Sequence, residues 1–301
     1  MRNRRSFNVF CSLILTAAIS LSSAIPSFAA ETEVDEQNIV YSEQFPDAYI
    51  ITETYNEPST LSDDEFSFPT VKATVFVEET YKNVDGELTV TDSRLLSKDE
   101  VLEIGEENFD ELAAPIPLGD TSGVNTGTAA VSERGKLTLI FSGRCSTSNG
   151  IEPSFSATAT WSGFNSFLQN DGPAIGNDFM GLTWGGNFSV KSSQCTAYTQ
   201  LNSNINTYLS SANPTVGRVW EFQEYFGGNY ALYAQYAYIF ATLHKNYATG
   251  SGNTTEAVLQ YTHTYQQVTG SISIDTSGIG FTLSQTPKQW SVACVINNIP
   301  Y

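Results

Sequence analysis

Apolar and polar side chains alternate with a period of two through most of the second half of the chain. Leu137, Leu139 and Phe141 alternate with Thr138, Ile140 and Ser142, and Phe155, Ala157, Ala159 and Trp161 with Ser156, Thr158 and Thr160. Leu182, Trp184, Phe188 and Val190 continue the pattern against Thr183, Gly185, Asn187 and Ser189. Such alternation sends one side of a β-strand to a core and the other to water. Val219–Phe226, Ser271–Asp275, Phe281–Ser284 and Gln289–Ile296 read as further strands. Between Tyr230 and Ile296 the spacing predicts a long hairpin, with arms at Ala231–Lys245 and Glu256–Gln267. Its turn would lie in the Gly- and Thr-rich stretch Ala248–Thr254. The second arm places Leu259, Tyr261, His263 and Tyr265 on one face. The first is apolar on both faces, as a central strand is. Eight or nine strands of this kind predict an antiparallel β-sandwich over residues 136–301.

The first part of the chain reads differently. Residues 31–69 are acidic and lack a sustained period, which predicts an extended or disordered segment. Residues 70–112 read as a small β-β-α unit. Val71, Ala73, Val75 and Val77 share one face, Asp85-Gly86 marks a turn, and Ser97–Glu100 forms a capping box ahead of Val101. Residues 113–135, rich in Pro, Gly and small polar side chains, read as a flexible linker with Arg134 near its end. The fold class expected is therefore mainly β, a C-terminal sandwich preceded by a small acidic β-β-α segment.

Residues 1–30 add export to this picture. Arg2, Arg4 and Arg5 precede an apolar run from Val9 to Ile25, and Ser27-Phe28-Ala29 supplies a small-x-small cleavage pattern. That is the layout of a secretory signal peptide, so a secreted, extracellular protein is expected. No later run has the eighteen or more apolar residues of a membrane-spanning helix, so a membrane partner is not expected. The formal net charge is −18, and it is unevenly spread. Residues 31–135 hold 25 acidic and 5 basic side chains, against 7 and 6 in residues 136–301. Such an acidic chain is not built for nucleic acid.

Three cysteines follow the export segment. Cys145, Cys195 and Cys294 all fall in phase with core-facing neighbours, and an oxidising compartment predicts one disulfide among them, with the pairing undetermined. Signatures of a nucleophile elbow, a zincin or a phosphate loop are missing from the sequence. The two Asp-Thr-Ser-Gly stretches at 120–123 and 275–278 lack the glycine that an aspartic-protease turn needs directly after threonine. Glu221 and Glu224 are odd-spaced and so face opposite ways along a strand, unlike a glycosidase pair.

The leading expectation is a binding or interaction module whose partner is a carbohydrate or another protein, with no catalytic, metal or cofactor residues. It rests on the export signal, the all-β pattern and the lack of catalytic motifs. Tyr230, Tyr233, Tyr236, Tyr238, Tyr247, Tyr261 and Tyr265 crowd the hairpin region, most as core or cross-strand packing, and exposed ones would offer a flat surface to sugar rings or a partner protein. A second expectation is a hydrolase with an unmarked site, using His263 with an unidentified partner or loop carboxylates such as Asp171 and Asp178. Asp171, Asn177 and Asp178 could also hold calcium, although their spacing is not that of an EF-hand. The third is a latent pore-former or antimicrobial released from an acidic pro-segment by cleavage near Arg134, with Ser271–Leu283 resembling a membrane-barrel strand.

Overall fold

A computed structural model describes residues 40–56, 65–84, 87–109, 131–148, 151–164, 177–185, 188–223, 225–226, 232–245, 254–265, 271–274, 280–284 and 288–300. Of these, 76% lie in strands and 6% are helical. The strands form two large antiparallel sheets and a two-stranded ribbon.

The small sheet holds β1 (Val40–Tyr41), β8 (Asn177–Trp184), β11 (Thr207–Asn213), β12 (Gly217–Gln223), β15 (Thr254–Thr264) and β18 (Gln289–Pro300), in the order β1-β18-β15-β8-β12-β11. The large sheet runs β10 (Asn204–Ile205), β9 (Phe188–Thr199), β14 (Leu232–Lys245), β7 (Glu152–Ser162), β6 (Val131–Ser146), β4 (Thr70–Val84) and β2 (Ile50–Tyr55). Three shorter partners join it: β3 (Glu65–Ser67) on β6, β5 (Glu87–Leu95) on β4, and β13 (Tyr225–Phe226) on β14. The ribbon is β16 (Ile272–Ile274) with β17 (Phe281–Leu283).

One apolar core lies between the sheets. Leu137, Leu139, Phe141, Ala157, Ala159, Ile239 and Leu243 enter it from the large sheet, and Met180, Leu182, Leu259, Trp290 and Val292 from the small one. Burial along β7 alternates without a break from Glu152 to Ser162, as its sequence predicts.

The predicted hairpin between residues 231 and 267 is not formed. β14 pairs with β7 and β9, whereas β15 pairs with β18 and β8 in the other sheet. Both arms carry a core face, and the sandwich sets those faces opposite each other instead of placing the strands side by side. Eight intervening residues are ample to cross the roughly 10 Å between packed sheets. Likewise Leu182–Val190 is two strands, β8 and β9, in different sheets.

The acidic part is built into the same body, since Thr32–Tyr301 form one unit. β4 pairs with β6 from Val71↔Phe141 to Tyr81↔Val131, and Val71, Val75 and Val77 are buried in the shared core. The described part of the segment at 70–112 is therefore continuous with the large sheet through β4 and does not stand apart. Residues 131–135, expected in the linker, begin β6. Within 31–69, the stretches 40–41, 50–55 and 65–67 are paired strands. Residues 1–30, and the linker from 113 to 130, lie outside the described residues.

Each large sheet also has something on its outer side. After β5, helix α1 (Lys98–Ile104) and a 3-10 turn at Glu106–Phe109 lay Val101 and Phe109 on Phe76 and Leu96. Gly105, at φ 87°, ends α1 in a conformation that side chains resist. Glu100 accepts from both the amide and the hydroxyl of Ser97, each at 2.8 Å. Those bonds, first the backbone one, and the adjacent Arg94 guanidinium bring its carboxyl down to about 2. On the small sheet, β16 and β17 pack Phe281 and Leu283 over Phe179 and Val219. A Cβ on Gly181 would lie 2.7 Å from the Phe281 ring, so this approach requires glycine. The segment read as a membrane-barrel strand is thus a cover for the small sheet.

Candidate functional site

Two places collect chemistry, one sealed inside the sandwich and one on its surface. The inner one joins residues that the sequence raised separately. Asp178 on β8 and His263 on β15 are both fully buried, with His263 Nδ1 3.0 Å from Asp178 Oδ1. His263 Nε2 lies 2.9 Å from Glu79 Oε1, which reaches in from β4 of the other sheet. Asp178 also accepts from the Tyr261 hydroxyl and from the Thr264 amide. The Tyr261 hydroxyl takes the Trp161 indole N–H at 2.9 Å, and Trp290 Nε1 donates to the Ser93 hydroxyl at 2.9 Å. Three polar links thus tie the sheets together: Glu79 to His263, Trp161 to Tyr261, and Ser93 to Trp290. Tyr265 closes the cluster, its hydroxyl pushed up by burial and then by Asp92.

This arrangement is suited to holding, not to turnover. A hydrolase relay needs the second ring nitrogen to face a nucleophile that substrate can reach. Here a second carboxylate occupies that position, and His263 has no exposed surface. An imidazolium donates to both carboxylates; the neutral ring donates to only one. Asp178 is likewise closed to calcium, being fully buried and already engaged by three donors. Asp171, Glu224 and the two Asp-Thr-Ser-Gly stretches lie outside the described residues. Glu79 is in phase with Val71, Ala73, Val75 and Val77, so period-two spacing turns it inward, but nothing in the sequence pairs it with His263, which only the packing of the two sheets does.

The outer site is the open face of the large sheet. Register places its outward side chains in a grid of three rows across β6, β7, β14 and β9. The first row is Thr138, Thr160, Tyr236 and Tyr198. The second is Ile140, Thr158, Tyr238 and Thr196, and the third Ser142, Ser156, Phe240 and Gln194. Gln194 is exposed and the other eleven are partly exposed. Strand geometry makes the grid about 14 Å on each side. None of its twelve residues is charged. Charges appear at its margins: the ion pairs Arg134–Glu78 (2.9 Å), Lys191–Glu152 (2.8 Å) and Lys72–Glu53 (3.0 Å), and Lys136, next outward of Thr138 on β6. Hydroxyls pair across strands at Ser142–Ser156 (2.8 Å) and Thr74–Thr138 (3.3 Å). Three rings form a ridge along β14, and Tyr198 adds a fourth, 6.3 Å from Tyr236. Burial, then Tyr238 and Tyr198, raises the Tyr236 hydroxyl. Beside the grid, Glu65, Arg144, Ser146, Glu152 and Ser154 line a recess of about 120 Å³. That is well short of the roughly 300–1,000 Å³ of small-molecule sites.

The expected disulfide is not formed among the described residues. Cys145, Cys195 and Cys294 are free thiols, on β6, β9 and β18 respectively. Burial pushes Cys145 up to about 11 and both Cys195 and Cys294 up to about 12, which leaves them inert as nucleophiles. Arg134, the expected cleavage position, lies within β6, paired with Glu78. No described helix is long and apolar enough to cross a membrane.

Comparison with known proteins gives little to set beside this geometry. No family model and no curated protein matches the chain. Among solved structures, the chain is similar to the T6 backbone pilin of serotype M6 Streptococcus pyogenes. The identity is 10% and the TM-score 0.26, over 77% of this chain and 64% of that one, so under two thirds of the pilin's length is spanned. It is also similar to the C-terminal domain of the AgI/II polypeptide BspA of Streptococcus agalactiae. There the identity is 7% and the TM-score 0.21, over 71% of this chain and 95% of that one.

Proposed function

We propose that the chain is a secreted, extracellular binding module that meets its ligand with the outer face of the large sheet. The observation that carries this reading is the uncharged three-by-four grid on β6, β7, β14 and β9. In a chain of net charge −18, twelve neighbouring outward positions hold hydroxyls, an amide, rings and one isoleucine, with charges only at the margins. Interfaces are built this way, with charge depleted at the centre, aromatic side chains enriched, and a polar rim. The export-type N-terminus supports the extracellular setting. The hydrolase reading has less support, because its best residues, His263 and Asp178, are consumed in a closed network.

The test compares the full secreted chain with a variant carrying Tyr236→Ala, Tyr238→Ala and Thr158→Asp. Both are immobilised and offered panels of glycans and purified extracellular proteins. Binding that is present in the first and lost in the second is expected. Binding that is absent, or equal in both, would sink the proposal.

A further inference from the structure

Resting on that reading, we infer that the ligand of the grid is an extended, neutral polysaccharide chain. Four features of the face favour this occupant. Its central column is the short side chains Ser156, Thr158 and Thr160, and the recess beside it among the described residues holds only about 120 Å³, too little to enclose a small molecule. Affinity must then be gathered along an extended ligand, over the roughly 14 Å of the grid. Its chemistry is also two-sided. The β14 rings offer apolar, polarisable surface to the C–H faces of pyranose rings, while the β7 hydroxyls beside them both donate and accept, as sugar hydroxyls do.

The rings and the charge-poor centre would also serve a protein partner, but the serines and threonines between them suit one poorly. Serine is depleted at protein–protein interfaces, and Ser and Thr are under-represented among their hot-spot residues. Here they form the centre of the face. Charge settles the class of polysaccharide. No lysine or arginine stands within the grid to neutralise a carboxylate, sulfate or phosphate polymer, and the bordering Lys72, Arg134 and Lys191 are each paired with a carboxylate, Glu53, Glu78 and Glu152 respectively. A neutral chain pays no such penalty.

Affinity electrophoresis of the full chain tests this, in gels containing either neutral polysaccharides (β-glucan, glucomannan, arabinoxylan, amylose) or anionic ones (alginate, hyaluronan, polygalacturonate). At least one neutral polymer is expected to retard the protein and the anionic ones not to. Tyr238→Ala should weaken that retardation at least 10-fold, as loss of one stacking ring does, and Thr158→Asp should abolish it. Tyr208→Ala, at an exposed ring on β11 of the other sheet, should leave it unchanged. Circular dichroism of each variant separates loss of binding from loss of fold. No retardation by any neutral polymer, a preference for anionic ones, or retardation indifferent to Tyr238 and Thr158 overturns the inference. Grid-dependent binding to proteins alone would overturn it while leaving the module reading intact; no grid-dependent binding of any kind removes both.

Discussion

On the small sheet the outward residues Phe179 and Val219 lie beneath Phe281 and Leu283, and Val258, Ala293 and Val295 are buried beside them. On the large sheet the central outward residues are Thr138, Ser156, Thr158 and Thr160, and solvent reaches all four. Both sheets turn the same kind of inner face to the common core, so the contrast lies wholly outside. A sheet buried on both sides uses both sides for folding, and its strands read as continuous apolar runs. A sheet with one wet face leaves that face free to be shaped by something other than stability. The contrast separates the part of the molecule that holds the fold from the part available for recognition.

The largest break is expected where the two sheets are tied. His263→Ala would leave Asp178 and Glu79 buried without their shared partner, and losing one member of a buried charged network costs about 3–5 kcal/mol. For a chain of this size that corresponds to a fall in Tm of roughly 10 °C. In a double-mutant cycle with Glu79→Gln, the combined loss should be clearly smaller than the sum of the single losses, because both act on one network. Chemical denaturation measures both quantities; a single-variant loss below about 1 kcal/mol would show the network to be incidental.

Next comes the contrast between the faces. Phe281→Ala removes the largest side chain of the ribbon's cover and is expected to cost about 3 kcal/mol. Tyr238→Ala, an aromatic truncation on the other sheet's open face, should cost less than about 1 kcal/mol while weakening ligand binding. Equal losses at the two positions would mean that the open face also serves the fold. A smaller effect is expected at Gln260, whose side-chain amide bonds the N–H and C=O of Phe281 at 2.9 and 3.0 Å. With about 0.5–1.5 kcal/mol for each bond, Gln260→Ala should cost about 1–3 kcal/mol. It should also speed amide exchange at Phe281, and unchanged exchange would assign the ribbon's hold to its apolar contacts alone.

The same contrast explains what the sequence could and could not reveal. β7 was legible because a sheet with one wet face writes its burial as strict alternation, from Glu152 to Ser162. β8 is buried along nearly its whole length, so its Phe179-Met180-Gly181-Leu182 run carries no phase and does not separate from β9 in the pattern. The two arms at 232–245 and 254–264 were found as strands but assigned to each other, because periodicity reports a core face and not which sheet supplies it. β11 and the strands among the acidic residues 40–67 are short or exposed edges with little alternation to detect. The individual aromatics of β14 were visible, but the grid needed the register of four strands.

The smallest expected effect tests the corner where, among the described residues, the large sheet does have a cover. Helix α1 and the turn after it lay Val101 and Phe109 over Phe76, so this corner resembles the small sheet. The cover is fastened at Ser97 by Glu100, whose carboxyl is lowered from 4.5 to about 2 by the Ser97 bonds and Arg94. A carboxyl depressed on folding binds fewer protons folded than unfolded. Its contribution is therefore fully present above about pH 4.5 and is lost as the pH falls through about 2. Glu100 is more than a third exposed, so solvent screens the effect and only a modest one is expected. Glu100→Gln should lower the protection of the Val101 and Gly105 amides at pH 6, and the gap from the unmodified chain should narrow steadily towards pH 2. Hydrogen exchange followed by NMR at these two amides provides the measurement, with the Leu139 amide as a reference on the shared core. A gap that stays constant between pH 6 and pH 2 would mean that the apolar contacts of Val101 and Phe109 hold this cover without help from the carboxylate.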